Sequence, residues 1–222
     1  LGPDQSLDDY EVSYQYIDED GNLLSSSELR NPFNTKTQTV TVTITNKLNT
    51  SCPAVDTIDF VVNPLPEFTV DNDVIVCLNL PPQPIGVTSA QGNYTYAWEH
   101  EDLNGNTSTF PSTSDTILIG VGGTYYVTAT TTDGTNCSRT LSISVSESEI
   151  ASITLDDIKV KDLTSDNNNT ITIDTSNLGI GDYEFSLDNR NGPYQTYPYF
   201  DQVRPGIHTI YIRDKKDCGI AQ

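Results

Sequence analysis

The segment GGTYYVTATTTDGTNC, residues 122–137, indicates the fold class of this chain. It alternates Thr, Tyr and Val before an Asp-Gly pair and a cysteine, which is typical of a half-buried β-strand that ends in a turn. The same pattern returns as TQTVTVTITNKLNTSC at 37–52 and as GIHTIYIRDKKDC at 206–218. One strand-turn-cysteine unit therefore occurs three times along the chain.

A second phrase precedes each of these units. It begins at Tyr14 as YQYIDEDGN, at Tyr94 as YTYAWEHEDLNGN and at Tyr183 as YEFSLDNRNG. An aromatic alternating strand followed by an acidic, Asn- and Gly-rich turn predicts a β-hairpin. The cysteines that end the first pattern lie 85 and 81 residues apart, a period typical of tandem small β-sandwich domains. No long amphipathic helix is indicated, so we predict an all-β chain of three modules.

Proline and small polar residues mark the expected module boundaries. VNPLPEF at 62–68 contains two prolines that remove ladder donors and favour an extended connector. SVSESEIAS at 144–152 ends an alternating strand in small and acidic residues. We therefore predict modules at 1–65, 66–148 and 149–222. Because the first begins almost at its central strand, we expect its opening strands to lie upstream of this chain.

The charge of the chain limits its partners. It carries 11 Lys and Arg against 31 Asp and Glu, for a net charge of −20 and an isoelectric point of about 4.1. Such a surface repels phosphate backbones, which argues against nucleic-acid binding. No stretch approaches the roughly 18 apolar residues of a membrane span. The absence of methionine leads us to expect a processed piece of a longer protein.

The middle module contains a cysteine, tryptophan, cysteine order. Cys77 lies on an early strand, Trp98 on a central strand and Cys137 just after a late strand. In two-sheet sandwiches an early-strand and a late-strand cysteine often bond across the core beside a central tryptophan. We therefore predict a Cys77–Cys137 disulfide and an oxidising compartment. For Cys52 we expect a partner lost upstream, and for Cys218 no partner within this chain.

Residues suited to catalysis are scarce. The only histidines are His100, in the acidic turn EHEDLNGN, and His208, in an alternating strand. A solvated turn and an outward strand position are the expected locations. Neither a nucleophile elbow nor a zinc-binding helix motif is present, and no two of the many carboxylates stand out. We predict that the chain is not an enzyme.

Acidic loops offer hard oxygen ligands for calcium. Asp, Asn and Gly are equally what hairpin turns require for their own backbone geometry. None of the clusters matches the calcium loop with ligands at alternate positions, so we predict no cofactor and keep calcium as the alternative. The clusters are Asp18-Glu19-Asp20-Gly21-Asn22, Glu101-Asp102 with Asn104, and Asp156-Asp157 with Asp162 and Asp166.

An aromatic loop, NGPYQTYPYFDQ at 191–202, is the candidate for carbohydrate binding. Tyr194, Tyr197 and Tyr199 either form a stacking platform for sugar rings or fold back on the sandwich. We expect Phe200 and one of the tyrosines to belong to the core.

The chain resembles the region just before the sorting domain in large gliding-motility-associated adhesins of Bacteroidetes, which the type IX secretion system exports. Matching phrases span the whole chain. The most specific are NNTITIDTSNLGIGDYEFSLDNRNGPYQ at 168–195 and PGIHTIYIRDKKDCGIA at 205–221. The resemblance implies tandem immunoglobulin-like sandwiches that form a non-catalytic stalk or adhesion region at the cell surface, exported across the outer membrane.

The resemblance also implies partners and modifications. A type B sorting domain beyond residue 222 would engage the type IX translocon and the surface anchoring machinery. These bacteria use an O-glycosylation signal of Asp, then Ser or Thr, then an aliphatic residue, which Asp56-Thr57-Ile58 and Asp115-Thr116-Ile117 match. Thr57 and Thr116 are thus candidate glycosylation sites. The alternative function is a carbohydrate-binding module that recognises polysaccharide through the Tyr-rich loop.

Overall fold

The fold is all-β, as the sequence predicts. The computed structural model describes residues 6–162 and 169–222. Within these ranges the helical elements are two single 3₁₀ turns, Leu7–Asp9 and Leu155–Asp157. The chain divides into two compact units, Leu1–Leu65 and Pro66–Gln222, which are described separately below.

The first unit is a four-stranded antiparallel sheet in the order β2-β1-β3-β4. Alternation along β1 and β3 buries Tyr16 and Val40 on one face, and Phe33 packs there with its ring 5.2 Å from that of Tyr16 and 5.3 Å from that of Phe60. Strand β4 lies at the edge and is exposed along nearly its whole length. The strands are β1 (Tyr10–Ile17), β2 (Leu23–Ser26), β3 (Gln38–Asn46) and β4 (Asn49–Phe60).

The second unit begins with a sandwich of a three-stranded and a five-stranded sheet. The first has the order β10-β7-β5 and the second the order β6-β12-β11-β8-β9. All pairings are antiparallel except that of β6 with β12, which is parallel. The strands are β5 (Thr69–Val70), β6 (Val74–Cys77), β7 (Gln83–Thr88), β8 (Tyr94–Glu101), β9 (Thr107–Phe110), β10 (Thr116–Ile119), β11 (Gly123–Thr131) and β12 (Ser138–Ser148).

Two side chains give this first sandwich its immunoglobulin-like character. Trp98 is buried on the inner strand β8, and its Nε1 donates a hydrogen bond to the carbonyl of Ser114 at 2.8 Å. Tyr125, near the start of β11, is fully buried and its hydroxyl donates to the carbonyl of Val121 at 2.9 Å. A buried central-strand Trp and a tyrosine bonded to backbone a few residues upstream are hallmarks of the immunoglobulin fold. The predicted immunoglobulin-like sandwich is confirmed.

A second, smaller sandwich completes this unit. Its sheets have the orders β13-β14-β16 and β15-β17-β18. The core between them consists of Ala151, Ile173, Leu178, Phe185 and Ile212, with Phe200 packed against it as expected. The strands are β13 (Ile158–Lys161), β14 (Asn169–Ile173), β15 (Tyr183–Leu187), β16 (Tyr199–Val203), β17 (Ile210–Asp214) and β18 (Ile220–Ala221).

The three aromatic phrases do not fold alike. The first two form the predicted hairpins, β1 with β2 and β8 with β9. In the third, β15 pairs along its length with β17, and it meets the chain after its own turn only at the bridge between Phe185 and Gln195. Gly192 and Pro193 divert the chain after the turn, because proline has no N–H to extend a ladder.

The predicted Cys77–Cys137 disulfide is wrong. Cys77 bonds to Cys218, and Cys137 is free and half-buried. The strand register explains why: Cys77 pairs with Ser148, the last residue of β12, whereas Cys137 directly precedes its first residue. At about 3.3 Å per residue these positions are about 35 Å apart, and a disulfide tolerates no more than about 7 Å between Cα atoms.

The remaining cysteine expectations have different outcomes. Cys218 is buried and bonded, so the expectation that it lacks a partner within this chain is also wrong. Cys52 is free and exposed on β4, and a partner upstream stays a prediction. The late-strand position of a usual immunoglobulin disulfide, two residues after the corner Tyr125, holds the buried Val127 here.

The division into three modules stays a prediction. The second unit contains two distinct hydrophobic clusters, one built around Trp98 and the other around Ile212. The structure nevertheless joins both sandwiches in one compact unit. The contacts that join them form the most specific arrangement of side chains in this unit.

Candidate functional site

The junction between the two sandwiches of the second unit is the candidate functional site. Its covalent part is the Cys77–Cys218 disulfide, with a Cα–Cα distance of 5.4 Å across a sequence separation of 141 residues. Cys77 is the last residue of β6 in the first sandwich, and Cys218 lies in the turn between β17 and β18 of the second. The bond therefore ties an edge strand of one sandwich to a tight turn of the other.

Asn79 adds a two-sided hydrogen-bonded bridge beside the disulfide. Its Nδ2 donates to the carbonyl of Cys218 at 3.0 Å, and its Oδ1 accepts the N–H of Ile150 at 3.0 Å. One amide thus satisfies backbone groups 68 residues apart (218 less 150). An amide side chain suits this position because it offers a donor and an acceptor at once.

A buried carboxylate, Asp214, organises the turn that carries Cys218. Asp214 is fully buried, and its Oδ2 accepts the N–H groups of Lys216 and Cys218, each at 3.1 Å. Its Oδ1 accepts the hydroxyl of Ser148, also fully buried, at 2.9 Å, and the N–H of Asp182 at 3.3 Å. This carboxylate therefore stabilises its own turn. Because Ser148 ends β12, the carboxylate also bonds to the first sandwich.

The connector after β12 is docked against the second sandwich by its backbone. The N–H of Glu149 donates to the carbonyl of Ile180 at 2.8 Å, and Glu149 Oε1 accepts the N–H of Ile180 at 2.9 Å. Gly179 has φ of +101°, and a Cβ there would lie 2.2 Å from Glu149 Oε1. A side chain at residue 179 would be strained at this positive φ and would displace the Glu149 carboxylate. The short, stiff join expected at 144–152 stays a prediction, which these contacts favour.

The contacts of the junction are structural, because each joins a group of one sandwich to a group of the other. A disulfide, a bridging amide and a buried carboxylate act on the same end of the second sandwich. Together they connect the two sandwiches by one covalent bond and several hydrogen bonds. Sequence reasoning missed Asn79, Ser148 and Asp214, because each acts on a residue more than 60 positions away.

The acidic turns that were calcium candidates use their carboxylates internally. Asp18 Oδ1 accepts the N–H groups of Asp20 at 3.0 Å and Asn22 at 2.8 Å. Asp102 Oδ1 accepts those of Asn104 and Asn106, both at 2.8 Å. The bond from the Asn22 backbone lowers the pKa of Asp18, and that from the Asn106 side chain lowers the pKa of Asp102. These are two copies of one hairpin turn.

The third acidic cluster is only partly described. Asp157 Oδ2 accepts the hydroxyl and the N–H of Thr154 at 2.7 and 2.9 Å, which lowers the pKa of Asp157. Asp166 lies outside the described residues. Within the part of the chain that the structure describes, no three His, Cys, Asp or Glu side chains are grouped to hold a metal ion. Calcium binding elsewhere stays a hypothesis.

We expected His100 in a solvated turn, but it lies inside strand β8. It is buried, its ring stacks on that of Tyr125 at 4.3 Å, and its Nε2 lies 2.9 Å from the carbonyl of Gly122. Its place follows from alternation, since it lies two residues after the buried Trp98. His100 is a core residue of the first sandwich.

His208 lies between two acceptors and is only about 20% exposed, in contrast to the expected outward position. Its Nδ1 lies 2.6 Å from Asp188 Oδ2 and its Nε2 lies 2.7 Å from the carbonyl of Arg204. Only the protonated ring donates to both. The hydrogen bond with Asp188, followed by that with Arg204, raises the pKa of His208.

This arrangement predicts a loss of stability on alkalinisation. Because the folded-state pKa lies above the ordinary value near 6.5, the contribution of His208 is complete below about pH 6.5 and disappears as the pH rises through the raised folded value. We expect it to amount to no more than about 1 kcal/mol. Denaturant unfolding at about pH 5.5 and about pH 8 should show a smaller decrease for His208→Gln than for the unchanged chain; equal decreases would contradict the assignment.

The candidate glycan-contact tyrosines have different surroundings. Tyr194 is half-buried: its hydroxyl donates to the carbonyl of Arg190 at 2.6 Å and its ring lies under the Arg213 guanidinium at 4.1 Å. Tyr197 is 78% exposed and Tyr199 is 44% exposed. Gln195 Nε2 donates to the carbonyls of both residues, at 2.8 and 2.6 Å. The loop therefore presents two tyrosines to solvent on a braced backbone, and the third packs on the sandwich.

The candidate glycosylation residues are both accessible. Thr57 is exposed on edge strand β4, and Thr116 is exposed as the first residue of β10. The Thr116 hydroxyl donates to Asp115 Oδ1 at 3.2 Å. Their modification stays a prediction.

Comparison with known proteins gives structural relatives alone. No protein-family model and no curated protein matches the chain. Its structural neighbours are adhesin and immunoglobulin-like domains. One is a Ca²⁺-stabilised adhesin that helps an Antarctic bacterium reach out and bind ice: TM-score 0.34, 11% identity, covering 95% of this chain and 62% of that one.

Two further neighbours are similar in kind. The four N-terminal immunoglobulin domains of Dscam1 isoform 6.9 give a TM-score of 0.32 at 11% identity, covering 95% of this chain and 63% of theirs. The BSP domain of a biofilm-associated protein gives 0.25 at 11% identity, covering 90% and 43%. The chain spans less than two thirds of each neighbour. No helix among the described residues is long and apolar enough to cross a membrane.

Proposed function

We propose that this chain is a non-catalytic stalk region of a large bacterial cell-surface adhesin, which holds a distal binding region away from the cell. The observation that carries the proposal is the junction of the second unit. There the Cys77–Cys218 bond, the Asn79 bridge and the buried Ser148–Asp214 pair join two immunoglobulin-like sandwiches. A binding module needs no such joint, whereas a spacer gains stiffness from it.

The export route in this proposal is the type IX secretion system, and the cellular role is attachment linked to gliding motility. The support is the resemblance of the phrases at 168–195 and 205–221 to adhesins of that kind. The disulfide agrees with an oxidising, extracellular compartment. A sorting domain beyond residue 222 would engage the translocon and the anchoring machinery.

A segment exchange tests the stalk function. In the full-length protein of the producing bacterium, residues 1–222 are replaced by unrelated tandem immunoglobulin-like sandwiches of equal length, and in a second strain they are deleted. We expect the exchange to preserve surface attachment under flow and the deletion to weaken it. Loss of attachment in the exchanged strain, with the protein still at the surface, would contradict the stalk function.

The export route has its own test. Blocking the type IX translocon should abolish surface labelling by antibodies to this chain.

A second candidate function is polysaccharide binding through the loop at 191–202. It is favoured by the exposure of Tyr197 and Tyr199 on a backbone held by Gln195. Aromatic rings exposed in this way offer flat apolar surfaces to sugar rings.

If this loop binds glycans, Tyr197→Ala combined with Tyr199→Ala should abolish retention on a glycan array and leave stability within about 0.5 kcal/mol, because both residues are surface positions. The matched control is Leu103→Ala, which removes a 72% exposed side chain from a turn of the other sandwich. Absence of binding to any glycan by the unchanged chain would exclude this function in favour of the stalk.

A further inference from the structure

The Cys77–Cys218 bond closes nearly the whole second unit into one covalent loop. The two cysteines are 141 positions apart, so 140 residues lie between them. Within the unit Pro66–Gln222, only 66–76 and 219–222 lie outside the two cysteines. Both hydrophobic cores are contained in the loop except for Phe68 and some β5 and β6 residues of the first core and Ala221 of the second.

We propose that this disulfide carries tension past the parts of both sandwiches that lie between the two cysteines, so that pulling on the ends of the chain cannot extend residues 78–217. Force applied at residue 66 reaches Cys77 through β5 and β6, crosses the sulfur–sulfur bond to Cys218 and leaves through β18. Backbone between residues 78 and 217 is not part of this path. The role in the cell rests on the proposed stalk function, but the load path is a property of the chain itself.

The non-covalent contacts of the junction shorten the path that force takes through the disulfide. Cys218 is buried in a turn fixed by Asp214, and Asn79, two residues after Cys77, donates to the carbonyl of Cys218. The two ends of the 140-residue loop are thereby brought together in the folded state, and the bond keeps them together if folding is lost. In the intact unit, the load enters and leaves close to one place.

The two units should therefore respond to force in opposite ways. The first unit has no disulfide among its described residues, since Cys52 is free, and its 65 residues extend by about 23 nm at roughly 3.5 Å per residue. The second unit releases only the short segments outside the loop, about 6 nm. Extension of the loop residues would add about 50 nm. The first unit therefore extends under load, whereas residues 78–217 of the second unit do not.

Single-molecule force spectroscopy on the full 222-residue chain, held by handles at both ends, tests this. Oxidised protein should reach a contour length set by 82 residues (222 less the 140 in the loop), or about 29 nm. The Cys77→Ala, Cys218→Ala double variant, and the unchanged chain after reduction by dithiothreitol, should both reach about 78 nm. Cys137→Ala is the matched control and should behave as the unchanged oxidised chain.

The readout is decisive whether or not the variant folds. Final contour length depends on covalent connection alone, so an unfolded double variant still lengthens by about 50 nm relative to oxidised protein. Oxidised protein that extends to about 78 nm would overturn the proposal, as would oxidised protein whose length does not change on reduction. The segment exchange could abolish attachment while the oxidised chain still stops at about 29 nm. That result would contradict the stalk function but not the load path through the disulfide.

Discussion

The Cys77→Ala, Cys218→Ala double variant is expected to lose about 5 kcal/mol of the free energy of unfolding of the second unit. In the chain-entropy model, cross-linking a loop of 140 residues removes that much conformational freedom from the unfolded chain. For a unit whose total stability is of the ordinary size of about 5–15 kcal/mol, this is a large share. Alanine is the better replacement because Cys218 is buried and an unpaired hydroxyl there would add its own cost.

Denaturant unfolding followed by Trp98 fluorescence and by far-ultraviolet circular dichroism measures the loss. Trp98 is the one tryptophan of the chain and lies in the core of the first sandwich of this unit, so the midpoint of its fluorescence change follows the second unit, whereas circular dichroism also includes the strands of the first unit. Cys137→Ala should stay within about 0.5 kcal/mol. A double variant as stable as the unchanged oxidised chain would show that the junction is held without the bond.

Asp214→Ala is expected to destabilise the second unit by about 3–5 kcal/mol. The substitution leaves the N–H groups of Lys216 and Cys218 and the buried hydroxyl of Ser148 without their acceptor. Each buried donor without an acceptor costs about 1–3 kcal/mol. Because the affected turn carries Cys218, the disulfide should also become accessible to reductants.

Two measurements separate this effect from a general loss of charge. Asp217→Asn changes an exposed carboxylate in the same turn and should alter stability by no more than about 0.5 kcal/mol. Trapping of thiols during mild reduction should label Cys218 faster in Asp214→Ala than in the unchanged protein. Equal labelling rates would mean that Asp214 does not hold the turn.

Strand positions were predictable from the sequence because alternation is a local property. Strand β11 buries every second residue from Gly123 to Ala129, as the Thr/Tyr/Val pattern predicts. The turn chemistry was local as well, since Asp18 and Asp102 bond to residues within four positions. The burial of His100 was not predicted, although alternation extended past Trp98 indicates it.

The junction was not predictable because the contacts that join its two sandwiches link distant parts of the chain. Four cysteines allow three pairings into two bonds, and the order Cys77, Trp98, Cys137 favoured the incorrect partner for Cys77. What decides the partner is the register of β6 against β12, which places Cys77 at the end of the strand that leads to the second sandwich. Likewise, nothing local to Asp214 shows that Ser148, 66 residues away, lies within hydrogen-bond distance.

The exposed edge of strand β4 bears on whether neighbouring copies of this chain can pair with one another. It is a 12-residue edge strand, exposed almost throughout, and such edges invite pairing with a second molecule. Pro53 lacks a donor for that ladder, and Asp56 and Asp59 place negative charge along it. Each copy carries a net charge of −20, so neighbouring copies at high density repel each other. The repulsion acts along the β4 edge, where their main chains would otherwise pair, and it opposes amyloid-like stacking.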